Sequence, residues 1–292
     1  MNVTLGQLGL DSPVMVAAGC GGVDLGRVVD LTKLGASVTR TITLDPVSGP
    51  TGRRLAETPS GLLTDLGWEN QGLQAFLATE LPQLAQQQVR TVVSVAGHRL
   101  SDYAELARRA GGAPGVAAVE VSFFDDDAFA AAKALAVVRR DVPPGVSVLA
   151  KLPIAGSDAG SVVDWARELA RCGPDGLVVG HPHRGVSIDP ISLRGLHGRL
   201  SGPATAPLAL EAVWRVHAVL PDVPLVGVGG IRRGDDALAM LAAGATAVQV
   251  GTALLHDPSA AHRVQSELTA SLDSRGLKPA DVVGIAHRGG LP

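Results

Sequence analysis

The sequence predicts a closed (β/α)8 TIM barrel, and three observations carry that reading. Short, nearly all-apolar segments alternate with amphipathic ones, eight of each, along the 292 residues. Apolar residues make up 46% of the chain and aromatic ones only 3%, so the core must be aliphatic, the filling of a parallel barrel. The two longest connections, 45–71 and 180–205, both follow a predicted strand, at the end of the fold where barrels carry their sites.

Candidate strands occupy 14–18, 37–41, 91–95, 117–122, 147–151, 176–179, 224–227 and 247–250. Most are short, β-branched and nearly all apolar, as a strand covered on both faces should be. Candidate helices occupy 25–34, 73–87, 102–109, 126–140, 160–171, 206–219, 233–243 and 259–274, with Ser101, Ser157 and Asp257 placed as caps. The alternative is an open doubly wound sheet, which asks for G-x-G-x-x-G after the first strand; Gly19-Cys20-Gly21-Gly22 does not match it. With no repeat and no low-complexity linker, 1–292 reads as one domain.

Composition removes several classes of function. The net charge is -3 and no basic stripe is present, which speaks against nucleic acid. No apolar run approaches the ~20 residues of a membrane span. Residues 1–10 lack a basic segment followed by an apolar one, so no signal peptide is expected and a cytoplasmic location follows by default. Cys20 and Cys172 lie too far apart in sequence to form a metal clip, and in the cytosol a disulfide between them is not expected. No metal site is expected.

Glycine turns carry the clearest chemistry. Gly229-Gly230 follows the seventh strand and Gly251-Thr252 the eighth. Glycine lets backbone N–H groups approach an anion closely, and the loops after strands seven and eight are where many barrels hold a phosphate. Thr252 adds a hydroxyl, and the following helix start adds a favourable dipole. A phosphate-binding isomerase or synthase, or a pair of ordinary turns, fits these glycines too.

The chain resembles the dihydroorotate dehydrogenases, and among them the soluble class 1 enzymes. The stretch Thr39-Arg40-Thr41-Ile42-Thr43-Leu44-Asp45-Pro46, with Arg54-Leu55-Ala56-Glu57-Thr58-Pro59-Ser60-Gly61-Leu62-Leu63, is the most specific part of the likeness. Ser94-Val95-Ala96-Gly97, Leu200-Ser201-Gly202-Pro203-Ala204 and the two glycine turns extend it over nearly the whole chain. The resemblance implies FMN at the strand C-termini. Gly229, Gly230, Gly251 and Thr252 would hold its phosphate, and Ala18, Gly19, Arg40, Ser94, Ser201 and Gly202 would lie along it. Lys151 would stand by the isoalloxazine and stabilise the charge of the reduced flavin; a strand-end lysine reaching solvent is the plainer reading. A homodimer is implied, and an electron-transfer subunit is a further partner in one class 1 branch.

The substrate side departs from the family. Arg40 stands where the family has lysine, and an ion pair with Glu57 or Asp45 is its structural alternative. The family word Glu-Leu-Asn-Ile-Ser-Cys-Pro-Asn becomes Glu120-Val121-Ser122-Phe123-Phe124-Asp125-Asp126-Asp127, so Ser122 replaces an asparagine and Asp125 falls nearest the base cysteine. Thr64, His181 and Ser94 stand where the family has asparagines. Asp125 is therefore the candidate base, Lys151 and Arg40 complete the catalytic set, and Thr64, Ser122 and His181 are the candidate substrate ligands. Helix capping accounts for at least one of the three acids. Arg40, His181, His183 and Arg184 could meet a carboxylate or phosphate, or form a solvated loop. A site built on amides loses heavily without them, so the expected substrate is a small polar molecule other than dihydroorotate. The alternatives are a true dihydroorotate dehydrogenase and a non-catalytic barrel.

Overall fold

The computed structural model describes residues 1–124, 127–152, 162–180 and 182–291. A hairpin of β1 (Val3–Leu5) and β2 (Leu8–Leu10) precedes the first barrel strand, β3 (Val14–Val16). Helix α1 (Val23–Gly26), β4 (Ser37–Val38), β5 (Leu55–Thr58), β6 (Gly61–Thr64), α2 (Gly72–Gln86), β7 (Thr91–Val95) and α3 (Leu100–Gly111) follow. Then come β8 (Val116–Val121), α4 (Ala128–Asp141), β9 (Ser147–Leu152), α5 (Val162–Ala170) and β10 (Gly176–Val179). The chain continues through β11 (His183–Ile188), β12 (Gly195–Ser201), α6 (Ala206–Val219), β13 (Leu225–Val228), α7 (Gly234–Ala242) and β14 (Ala247–Val250). It ends with α8 (Ala253–His256), α9 (Ala260–Asp273) and α10 (Pro279–Val282).

Eight strands close a parallel barrel in the order β3, β4, β7, β8, β9, β10, β13, β14 and back to β3. Each holds one of the segments expected from the sequence. Period-two alternation sorts their side chains. Val14, Val93, Val119, Val148, Leu177, Leu225 and Val248 face the helices, while Met15, Val38, Val92, Ala118, Leu149, Val178, Val226 and Ala247 fill the lumen. Leu5, Leu8 and Leu10 pack into that lumen cluster, so the N-terminal hairpin plugs one end of the barrel.

Several expectations need correction. The hairpin at 3–10 was not foreseen. The segment 25–34 is not one helix: α1 stops at Gly26, and the Asp30 carboxylate accepts from Thr32 N and Oγ1 to start a separate 3-10 turn, Leu31–Lys33. Strand 37–41 is regular only over β4, because Ser94 N donates to Thr39 Oγ1 where a ladder carbonyl would stand. Ser101 lies inside α3; the helix is capped at Arg99, whose N–H donates to the Asp102 carboxylate. The N-cap of α9 is Ser259, with Asp257 receiving its N–H and hydroxyl. Ser157 lies outside the described residues. The two long connections are sheet, not loop: β5, β6, β12 and β11 pair antiparallel across them, Leu63 opposite Leu200. Two segments far apart in sequence thus become one structure above the barrel, which local propensity does not reveal.

Candidate functional site

The lumen changes character two residues beyond its apolar layer. The inward positions following Val92, Ala118, Leu149 and Ala247 are Ser94, Glu120, Lys151 and Gln249. Ser94, Glu120 and Gln249 are fully buried and the Lys151 side chain is 11% exposed. Lys151 Nζ donates to Glu120 Oε1 at 3.1 Å, and Gln249 Nε2 donates to Glu120 Oε2 at 2.7 Å. Strands β8 and β14 are four apart in the eight-stranded ring, so the glutamine–glutamate bond crosses the full lumen. The result is a polar floor with a dry aliphatic core on one side and the C-terminal mouth on the other. Gln249 Oε1 is buried without a hydrogen-bond partner among the described residues, an acceptor whose desolvation costs about 1–3 kcal/mol. Ser94 Oγ is 2.9 Å from Thr41 Oγ1 at the side of this floor.

Glycines surround the mouth. Gly230 has φ +72°, and a Cβ there would stand 2.5 Å from Ala206 Cα, so the turn after β13 lies directly on the start of α6. Gly229, at φ +129°, needs glycine as well. A Cβ at Gly251 would lie 3.3 Å from Ala17 Cβ and 3.6 Å from Cys20 Sγ; one at Gly202 would lie 3.6 Å from Thr252 Cγ2. The ends of β3, β12, β13 and β14 therefore converge, with Gly251-Thr252 leading into the short helix α8. That is the placing of a phosphate site in barrels. Gly19 opens to the exterior at φ +78° with nothing near its Cβ position, and Ala18 packs on the lumen cluster. Ser201 Oγ donates weakly to Leu62 O at 3.4 Å.

Arg40 does not pair with Glu57 or Asp45 among the described residues. Its guanidinium donates to Glu69 O at 3.1 Å, because the 64–70 turn folds back over it. Burial pushes the Cys20 thiol up, while Lys151 and Arg40 pull it back, so both cations face one sulfur at the mouth. Thr64 closes β6, opposite Arg199 and Leu55. Ser122 is buried, and its carbonyl accepts from Tyr103 OH at 3.0 Å. Asp127 caps α4 by accepting from Phe129 N and Ala130 N. Asp125 and His181 lie outside the described residues. His183 and Arg184 stand on β11; burial lowers the His183 pKa, and its Nε2 has no partner among the described residues.

Sequence reasoning missed Glu120, Gln249, Cys20 and an aromatic stack. Phe124 lies 4.0 Å from His98 and 4.3 Å from Trp68, ring centre to ring centre, joining the connections after β6, β7 and β8. Glu120 and Gln249 carried a signal that went unused: each is a lone polar residue at an inward position of an apolar strand. The stack carried none, since nothing local tells Trp68 to meet Phe124.

Comparison with known proteins agrees with this geometry. A family model described as dihydroorotate dehydrogenase matches residues 1–272. The dihydroorotate dehydrogenase B (NAD(+)) catalytic subunit of Desulforudis audaxviator is 37% identical, over 99% of this chain and 98% of that protein. Proteins of the same name from Geobacter sp. and Pelobacter propionicus are 35% and 37% identical over 95% and 97% of this chain, and over the same shares of their own lengths. A solved DHODH from Eimeria tenella, in complex with ferulenol, superposes with a TM-score of 0.78 over 98% of this chain and 88% of its own; at 21% identity it speaks for the fold. Fold and relatives together define a flavin-dependent oxidoreductase on a (β/α)8 barrel. The chain belongs to the dihydroorotate dehydrogenase family.

Proposed function

We propose that this protein uses FMN to move a hydride between a C–C bond of a small polar ring and the flavin, and that dihydroorotate is that ring. The supporting observation is the polar floor of Glu120, Lys151 and Gln249 beneath converging glycine turns. The residues suit the cofactor chemically. Glycine N–H groups and Thr252 would take the phosphate; Lys151 offers donors, and the unpaired Gln249 Oε1 an acceptor, to the mixed donor and acceptor edge of an isoalloxazine. FMN supplies the hydride acceptor. The chain's own tasks are to orient the substrate, exclude water and take a proton from the neighbouring carbon, the last assigned to Asp125 on sequence alone.

The relatives' names favour dihydroorotate over the different substrate expected from the sequence. The second reading keeps one specific support: Thr64 and Ser122 cannot offer the donor–acceptor amides of the family, and Trp68, Phe124 and His98 gather aromatic surface on the connections that follow β6, β8 and β7. Anaerobic mixing decides between the two. Flavin bleaching by dihydroorotate at roughly 1 per second or faster supports the first reading. An oxidised flavin that stays oxidised supports the second. Protein that neither carries flavin absorbance nor binds added FMN defeats both.

The relatives are named as catalytic subunits, which supports an electron-transfer partner here. A homodimer is proposed as well, and the whole chain is proposed to act as one cytoplasmic domain. Among the described residues no helix is long and apolar enough to cross a membrane.

A further inference from the structure

We propose that Glu120 is a positioning residue that sets the electron affinity of the flavin through Lys151. The inference rests on the flavin reading above and adds a role for a carboxylate that touches neither the glycine cradle nor the substrate loops.

Three features carry it. First, Glu120 is fully buried and both of its oxygens are used, one by Lys151 Nζ and one by Gln249 Nε2. The lysine is therefore anchored to a group that is itself fixed from the far wall of the barrel. Second, stability does not explain the pair. Removing two charges from water costs several kcal/mol each, and an aliphatic pair of similar volume would serve a barrel interior as well or better. Third, the floor is incomplete by itself: Gln249 has spent its NH2 on Glu120, and among the described residues its buried carbonyl oxygen has no partner. A buried network with one open acceptor at the mouth is built toward a ligand that supplies a donor.

The charges make the role quantitative. With Glu120 in place, the floor is a neutral pair, and a reduced, anionic flavin meets a lysine already shared with a carboxylate. Without that carboxylate the same ammonium acts undiluted in a low-dielectric site and favours the reduced form more strongly. The titratable groups facing Lys151 among the described residues are Glu120, from β8, and Cys20, from the turn after β3, with Arg40 after β4 acting on the same sulfur. Burial pushes the Cys20 thiol up, away from the thiolate. Glu120 is thus the compensating charge.

The test is the midpoint potential of the FMN holoprotein between pH 6 and pH 9, for the wild type, Glu120→Gln, Lys151→Met and the double variant. Glu120→Gln keeps the shape and the acceptor for Lys151 and removes the charge; its new NH2 meets Gln249 where the carboxylate accepted, so the Gln249 amide must turn round to present its oxygen. At pH 6 it is expected to shift the potential positive by a tenfold change or more in the two-electron equilibrium, about 30 mV. Lys151→Met should shift the potential negative, and the double variant should match Lys151→Met, since Glu120 acts through the lysine. Glu120→Asp, with the carboxylate drawn back, should give a smaller positive shift and carries the test if Glu120→Gln does not fold. A potential in either variant equal to the wild type's across the pH range overturns the proposal while leaving the flavin reading intact. Protein without FMN overturns both.

Discussion

Gly230 and Gly251 are indistinguishable as motif letters, yet the structure gives them different burdens. Gly230 needs both a positive φ and the absence of a Cβ, because Ala206 stands against it. Gly230→Ala is expected to destabilise the protein by about 1–3 kcal/mol, read by thermal unfolding. Gly251 has room for a side chain at the mouth, with Ala17 and Cys20 at ordinary or slightly tight distance. Gly251→Val should keep the melting temperature within a few degrees and weaken FMN binding tenfold or more by fluorescence titration. Unchanged affinity would remove that turn from the cradle. For the proposed base, one of the three consecutive acids is already accounted for, since Asp127 caps α4. Asp125→Asn is expected to keep flavin content and slow flavin reduction by the true substrate ~100-fold; a wild-type rate would mean the base is elsewhere.

At the scale of elements, the N-terminal hairpin is the least expected part of the barrel, and one face of it, Val3, Leu5, Leu8 and Leu10, is buried. Leu5 is completely inaccessible in the lumen cluster, so Leu5→Ala should cost about 2–5 kcal/mol in denaturant unfolding. The C-terminal turn docks on α6 through histidines. His287 stacks on Trp214 at 3.7 Å, and buried His217 is held below its ordinary pKa by burial, with His287 and Arg288 adding to the effect. Its folded pKa is below its unfolded value, so the neutral form is the one the fold accommodates. The penalty is absent above the unfolded value, near pH 6.5, and grows as pH falls below it. Thermal stability should therefore drop between pH 7.5 and 5.5, and His217→Gln should flatten that slope; an unchanged slope would assign the acid sensitivity to other groups.

For the whole molecule, the polar layer divides the barrel into a plugged hydrophobic half and a chemical half. The same division separates the residues that hold the fold from those assigned to the cofactor. The antiparallel sheet above the mouth extends into a hairpin whose Val186, Ile188, Ile191 and Leu193 are exposed, Ile191 at 93%. Clustered apolar side chains in water mark a protein contact. Ile191→Ser with Leu193→Ser should lower the apparent mass in light scattering if the hairpin joins two copies, with flavin content unaffected. An unchanged mass removes the hairpin from the dimer contact.

What the sequence determined by itself was the barrel and the glycine turns at its mouth. Strand identity follows from apolar runs such as Gly176–Val179, and Gly229-Gly230 and Gly251-Thr252 announce themselves because backbone freedom is a local property of glycine. Tertiary structure alone decided the rest. Glu120 and Gln249 lie 129 positions apart and meet only because the barrel closes with β8 opposite β14. The sheet above the mouth pairs Leu63 with Leu200, and the stack brings Trp68 to Phe124, through contacts to which neither segment's own pattern refers. Hydrophobic periodicity records which face of a segment is buried. It does not record what that face meets, and the site is made of such meetings.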